Sequence, residues 1–181
     1  MALPLILAGP IVRRVEPRLA AFWIATSRSC DVTATIWPDF QTVGAQPGTI
    51  DGPANPWASS DPTPTRPIGG KLHVVVVVVE VPPEHAPLLP GSVYSYNIKL
   101  ESPPLLVTDL GREKLLVDET VTDRIPDVDP AAPLNLALGY ESDRLPSFVT
   151  CPATLDDLFI IQSGCRNTNS SRSTRPRGST T

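Results

Sequence analysis

Few residues in this chain could do chemistry, and they are scattered. The cysteines are Cys30, Cys151 and Cys165, and the histidines His73 and His85. Cys165 holds the most suggestive place, just past the apolar run Leu158-Phe159-Ile160-Ile161, which has the makings of a buried strand. Strand-end loops are where metal and catalytic groups gather, and a cysteine there can ligate a soft or borderline metal as thiolate. On spacing alone, an ordinary thiol fits Cys165 equally well. Asp156-Asp157 is a carboxylate pair, but neighbours on a strand point to opposite faces, so a shared site is not expected. With Thr154 ahead of it, the pair is better suited to shaping a turn. His73 and His85 read as structural. The chain lacks GxSxG, P-loop, GxGxxG, HExxH and CxxC patterns, so no residue is assigned a catalytic role.

The elements that would position such residues are strands. Leu88-Leu89-Pro90-Gly91-Ser92 is a Pro-Gly turn feeding a segment in which Tyr94, Tyr96, Ile98 and Leu100 alternate with Ser95, Asn97 and Lys99. Period-two alternation predicts one buried and one wet face. Tyr94 and Tyr96 are assigned structural roles there, the first as the tyrosine corner of an immunoglobulin-like sandwich or as a plain core residue. Leu5 to Val15 reads as an edge strand broken near Gly9-Pro10. Leu19 to Ala25 is apolar on both faces, with Trp23 as the expected core anchor. Asp31 to Trp37 alternates, Val32, Ala34 and Ile36 facing one way. The six valines Val74 to Val79 have the strongest strand propensity. They cannot alternate in polarity, so either both faces are covered or the register is weakly specified. Leu105 to Val117 fits a strand or a short helix, and Leu134 to Leu138 a further strand.

Composition agrees with an all-β chain. Twenty-two prolines in 181 residues mark frequent breaks, and 41% apolar residues support a core. The expected architecture is an immunoglobulin- or fibronectin-III-like β-sandwich over residues 1–145. Gln41–Gly70 reads as a long Pro/Gly-rich surface insertion, in which Trp57 is a plug against the sandwich rather than a ligand platform. Residues 146–166 read as an exit linker and one further strand, and 167–181 as a disordered Ser/Thr/Arg tail. Residues 166–181 carry four arginines and no acid, so the rest of the chain, whose total is −4, carries −8. An acidic body argues against nucleic acid as partner. The apolar start lacks a basic leader and is interrupted by Pro4, so a strand is expected there and not a signal peptide. No apolar run is long enough for a membrane span, which makes the cytoplasm the expected compartment.

Several stretches, in order, resemble one family. Leu7-Ala8-Gly9-Pro10-Ile11-Val12-Arg13-Arg14-Val15-Glu16-Pro17 followed by Ala21-Phe22-Trp23-Ile24-Ala25 is similar to the opening of alkaline phosphatase D-like (PhoD-like) metallophosphatases. Leu89-Pro90-Gly91-Ser92-Val93-Tyr94-Ser95-Tyr96 resembles a later strand of their N-terminal domain. Arg144-Leu145-Pro146-Ser147-Phe148-Val149, Leu155-Asp156-Asp157-Leu158 and Cys165-Arg166-Asn167 resemble the passage into the catalytic domain. The resemblance implies an active-site iron ligand at Cys165, although Ser163-Gly164-Cys165 departs from the family's Gly-Ser-Cys. It also implies iron and calcium as cofactors of the parent enzyme, but none held by this chain alone. The family's aspartate, asparagine and histidine ligands have no counterpart here. The resemblance therefore implies a truncated fragment: an N-terminal accessory domain, inactive by itself, that packs on a catalytic domain. The alternative is a free-standing binding module using Trp57 and the long loop.

Overall fold

The structure, a computed structural model, describes residues 3–42, 55–102, 106–113, 115–116, 144–154 and 156. Ten strands are assigned among them and no helix longer than a single turn. In chain order they are β1 (Ile6–Glu16), β2 (Leu19–Thr26), β3 (Asp31–Pro38), β4 (Ala58–Ser59), β5 (Thr63–Pro64), β6 (Arg66–Gly69), β7 (Leu72–Glu80), β8 (Val93–Ser102), β9 (Leu106–Asp109) and β10 (Ser147–Val149). All pairings between these strands are antiparallel and form two sheets. One runs β1-β2-β7-β6. The other runs β10-β8-β3-β4, with β5 also on β3 and β9 also on β8.

A single core lies between the sheets. From the four-stranded sheet come Ala20, Phe22, Ile24, Val75, Val77 and Val79; from the other come Val32, Ala34, Ile36, Tyr94, Tyr96, Ile98 and Leu100. The Phe22 and Tyr96 rings meet at 4.7 Å between centroids. The expected inward set of β3 is confirmed, since Val32, Ala34 and Ile36 are fully buried.

β1 is the expected interrupted edge strand, with register shifts against β2 around Gly9-Pro10. Gly9 has φ +85°, and a Cβ there would sit 2.7 Å from the Trp23 carbonyl oxygen, so only glycine fits.

Four expectations need correction. Trp23 is not the core anchor: period two puts Phe22 and Ile24 inward and leaves Trp23 half-buried on the outer face of β2, while the buried tryptophan, 3% exposed, is Trp37, opposite Ser95 on the other face of β3 from Ile36. The valine run has neither both faces covered nor a loose register. It pairs with β2 without a break from Leu19↔Glu80 to Thr26↔His73, with Val75, Val77 and Val79 inward and Val76 and Val78 exposed. A uniform strand takes its facing from a patterned neighbour. The wet face expected for β8 is largely buried, because Ser95 and Asn97 are hydrogen-bonded beneath neighbouring chain. Finally, part of the insertion builds sheet: β4 and β5 extend β3, and β6 extends β7. Residues 43–54 of it lie outside the described residues, as do Leu134–Leu138, Leu158–Ile161 and the tail from 167.

The segment after residue 145, expected as a linker, also joins the sheet. Ser147–Val149 is a strand paired with β8 through Phe148↔Tyr94, not a linker. Leu106–Asp109 takes the strand option of its segment, on the other end of the same β8 edge. No helix among the described residues is long and apolar enough to cross a membrane.

Candidate functional site

The turn before β8 is the most heavily tied part of the structure. Gly91 adopts φ +66°, which lets the chain reverse tightly into β8. The Tyr94 hydroxyl accepts the Leu89 backbone N–H at 2.9 Å. Thr150, just past β10, closes the turn from the other side. Its hydroxyl donates to the Leu89 carbonyl at 2.5 Å and accepts the Ser92 N–H at 3.0 Å. The Gly91 N–H reaches the Cys151 carbonyl at 3.1 Å. Phe148 packs on Phe22, Tyr94 and Tyr96 with centroids 5.9 to 6.4 Å apart. Burial pushes the Tyr96 phenol up to about 12.

Beside this turn, at the same end of the sheets, lies the β1–β2 hairpin. Arg18 donates to the Pro82 and His85 carbonyls at 3.1 and 3.2 Å, fastening the segment after β7 to the hairpin. The His85 Nδ1 lies 2.7 Å from the Trp57 carbonyl, and their rings meet at 5.5 Å. Trp57 packs on the core edge, its backbone N–H bonded to the Ile36 carbonyl, which is the expected plug. Its Nε1 is buried without a hydrogen-bond partner among the described residues.

An open cleft of about 470 Å³ adjoins the hairpin, lined by Glu16, Arg18, Leu19, Glu80 and Val81. Glu16 and Glu80 both pair with Leu19, one from each side. That separates their backbones by two strand spacings, about 10 Å. Glu16 is ion-paired with Arg14. None of the residues lining the cleft is a Ser, Thr, Cys, Lys or His that could act as a nucleophile.

The remaining candidates are apart. His73, on β7, has its Nδ1 buried without a partner among the described residues and lies away from His85, which stands beyond the opposite end of that strand. Cys30 is buried with its Sγ 3.6 Å from the Thr26 hydroxyl; burial pushes its thiol above the usual range, against the opposing effect of Thr26 and Thr65. It is a packing residue. Cys151 is exposed. Asp156 is exposed, and Asp157 and Cys165 lie outside the described residues. Among the described residues no three of His, Cys, Asp or Glu come together as metal ligands.

A different acid is fully enclosed. Asp109 on β9 accepts Asn97 Nδ2 at 3.0 Å and the Arg112 N–H at 2.9 Å, and Asn97 Oδ1 accepts the N–H of Ile98. Ser95 donates to the Asp39 carbonyl and accepts the Gln41 N–H, holding the chain that leaves β3. These bonds explain the burial of the polar side of β8 and close a turn; they leave no group free for catalysis.

Comparison with known proteins gave no match to any family model, curated protein or solved structure.

Sequence reasoning missed Phe148, Thr150, Arg18 and Asp109. Phe148 and Thr150 sit in a segment too short and too proline-rich to show periodicity. The bonds of Arg18 and Asp109 span elements that only the fold brings together.

Proposed function

We propose that this chain is an immunoglobulin- or fibronectin-III-like sandwich serving as the N-terminal accessory domain of a PhoD-like metallophosphatase. The observation that carries the sandwich reading is the strand order. With β1, β2, β7 and β6 as A, B, E and D, and β3, β8 and β10 as C, F and G, the two sheets follow the ABED and CFG arrangement of that architecture. The Tyr94–Leu89 bond at the start of β8 supports it as a tyrosine corner at the start of strand F. The phosphatase assignment rests on the resemblance of residues 7–25, 89–96 and 144–167.

In this reading the chain supplies no phosphoester chemistry of its own. Iron and calcium belong to the catalytic domain it packs on, and Cys165 is the thiolate it contributes to the iron. The ties between the Pro-Gly turn, β10 and Thr150 give the exit from the sandwich a fixed direction, which suits a module that orients a following domain.

The test has two arms. The purified chain is assayed for phosphodiesterase and phosphomonoesterase activity with bound iron and calcium quantified; no activity and no stoichiometric metal are expected. It is then titrated into the catalytic domain of a PhoD-like phosphatase lacking its own N-terminal domain, where complex formation is expected. Metal-dependent activity of the chain alone that disappears in Cys165→Ala, or no association in trans, overturns the proposal.

A further inference from the structure

Among the described residues no chain segment covers the outer face of the four-stranded sheet, where exposed apolar side chains stand between Arg14 and Arg66 over a floor of Ala21 and Ala25. Register places its side chains in rows across the strands: Arg14, Ala21 and Val78; Ile11, Trp23 and Val76; Ala8, Ala25, Val74 and Arg66. Val76 is 50% exposed, Ile11 46% and Val78 37%, with Trp23 half-buried among them. Leu72 and Ile68 continue the same face at one end. Scattered surface valines need no explanation, but a contiguous apolar sheet face does.

We infer that this face is a self-association surface, covered by the same face of a second copy of the chain. Size is the first argument. Three strands about 4.8 Å apart and about eight residues long, with the four-residue β6 beside them, present roughly 450 Å² per copy, or about 900 Å² for the pair, the size of a weak, reversible interface.

Shape and charge choose the arrangement. A two-fold axis lying in the interface and across the strands, between the Val76 and Val78 rows, sets each Trp23 over Ala21 of the other copy. The large side chain meets one of the small positions of the face, a shallow spot where Ala21 is 5% exposed. The same axis brings Arg66, beside Val74 at one end of the face, next to Glu80 of the other copy, beside Leu19 at the other end. Opposite charges thus close both ends of an apolar centre, as a self-complementary interface requires. Edge pairing is the less favourable route to a dimer, since β1 carries Pro10 and its register shifts, and β6 carries Pro67.

The experiment is sedimentation velocity of the full chain over a micromolar concentration series. Circular dichroism checks that each variant is folded. The wild type is expected to dimerise, and Val76→Lys, at an exposed position, to raise the dissociation constant at least about tenfold by placing a charge in the apolar centre. Glu80→Arg and Arg66→Glu are each expected to weaken the dimer, and the double reversal to restore it. A wild type that stays monomeric, because its own chain or another protein covers the face, overturns the inference. So does a dimer unaffected by Val76→Lys, or one whose two charge reversals fail to compensate. None of these outcomes bears on the phosphatase reading, which the activity and trans-binding assays test separately.

Discussion

At the scale of single residues, the hydroxyls around the Pro-Gly turn are the most informative. Tyr94→Phe keeps the ring in the core but leaves the Leu89 N–H without its acceptor. We expect a loss of about 1–2 kcal/mol, read from urea unfolding. Tyr96 answers to pH instead. Its folded-state value is raised from 10.0 to about 12 by burial, so its contribution is intact below pH 10 and is lost as pH rises towards 12, where the unfolded chain ionises first. Tyr96→Phe is therefore expected to move the midpoint of alkaline unfolding upward and to leave the neutral-pH fold in place; an unchanged midpoint would refute this assignment. Gly9→Ala must drive a Cβ against the Trp23 carbonyl in a left-handed conformation, and should cost roughly 1–3 kcal/mol in thermal or urea unfolding. The strand carrying Tyr94 was legible in the sequence because turn and alternation are adjacent. Trp23 misled because size suggests burial, whereas parity turns it outward on β2 and burial of an outward side chain, as for Trp37, needs chain packed over it.

At the scale of elements, β10 shows how little three residues announce themselves. Arg144-Leu145-Pro146-Ser147-Phe148 has a proline at its centre and no room for a period, so it reads as a linker. Yet Leu145, Pro146 and Phe148 are buried, and the strand closes the open end of β8. Phe148→Ala empties a site bounded by three aromatic rings, and we expect about 3–5 kcal/mol of destabilisation in chemical denaturation. A chain ending at residue 143 loses the strand altogether and should be less soluble and less stable than one ending at 154. Comparable soluble yields of the two would mean that β10 is dispensable. The valine strand is the converse case. Its existence is evident from composition, but its facing is set by Phe22 and Ile24 across the ladder.

At the scale of the whole molecule, both sheets spend their inward faces on one core and differ on their outward faces. The six-stranded sheet covers much of its polar side with hydrogen-bonded chain around Asp39, Gln41 and Asp109. The four-stranded sheet leaves apolar side chains in solvent. That asymmetry, among the described residues, is the ground for the proposed self-association. The chemistry-bearing residues are distributed rather than gathered: Cys30 in the core, His73 and His85 near opposite ends of β7, and Cys151 exposed by the turn. A thiol reagent should accordingly modify Cys151 in the folded chain and reach Cys30 only on unfolding. Rapid labelling of Cys30 under native conditions would contradict its burial.

The sequence by itself determined that this is a β protein, where most of its long strands run, and that the tyrosine strand follows a tight turn. These properties are local: alternation, β-branching and Pro-Gly punctuation act within a few residues. Only the tertiary structure decided which valines face the core, that Trp37 and not Trp23 is buried, and that part of the insertion and the apparent linker complete the sheets. It alone enclosed Asp109 and left one sheet face bare. The physical reason is that facing, closure and burial depend on partners distant in sequence, and a uniform or very short segment carries no signal of which partner it will meet.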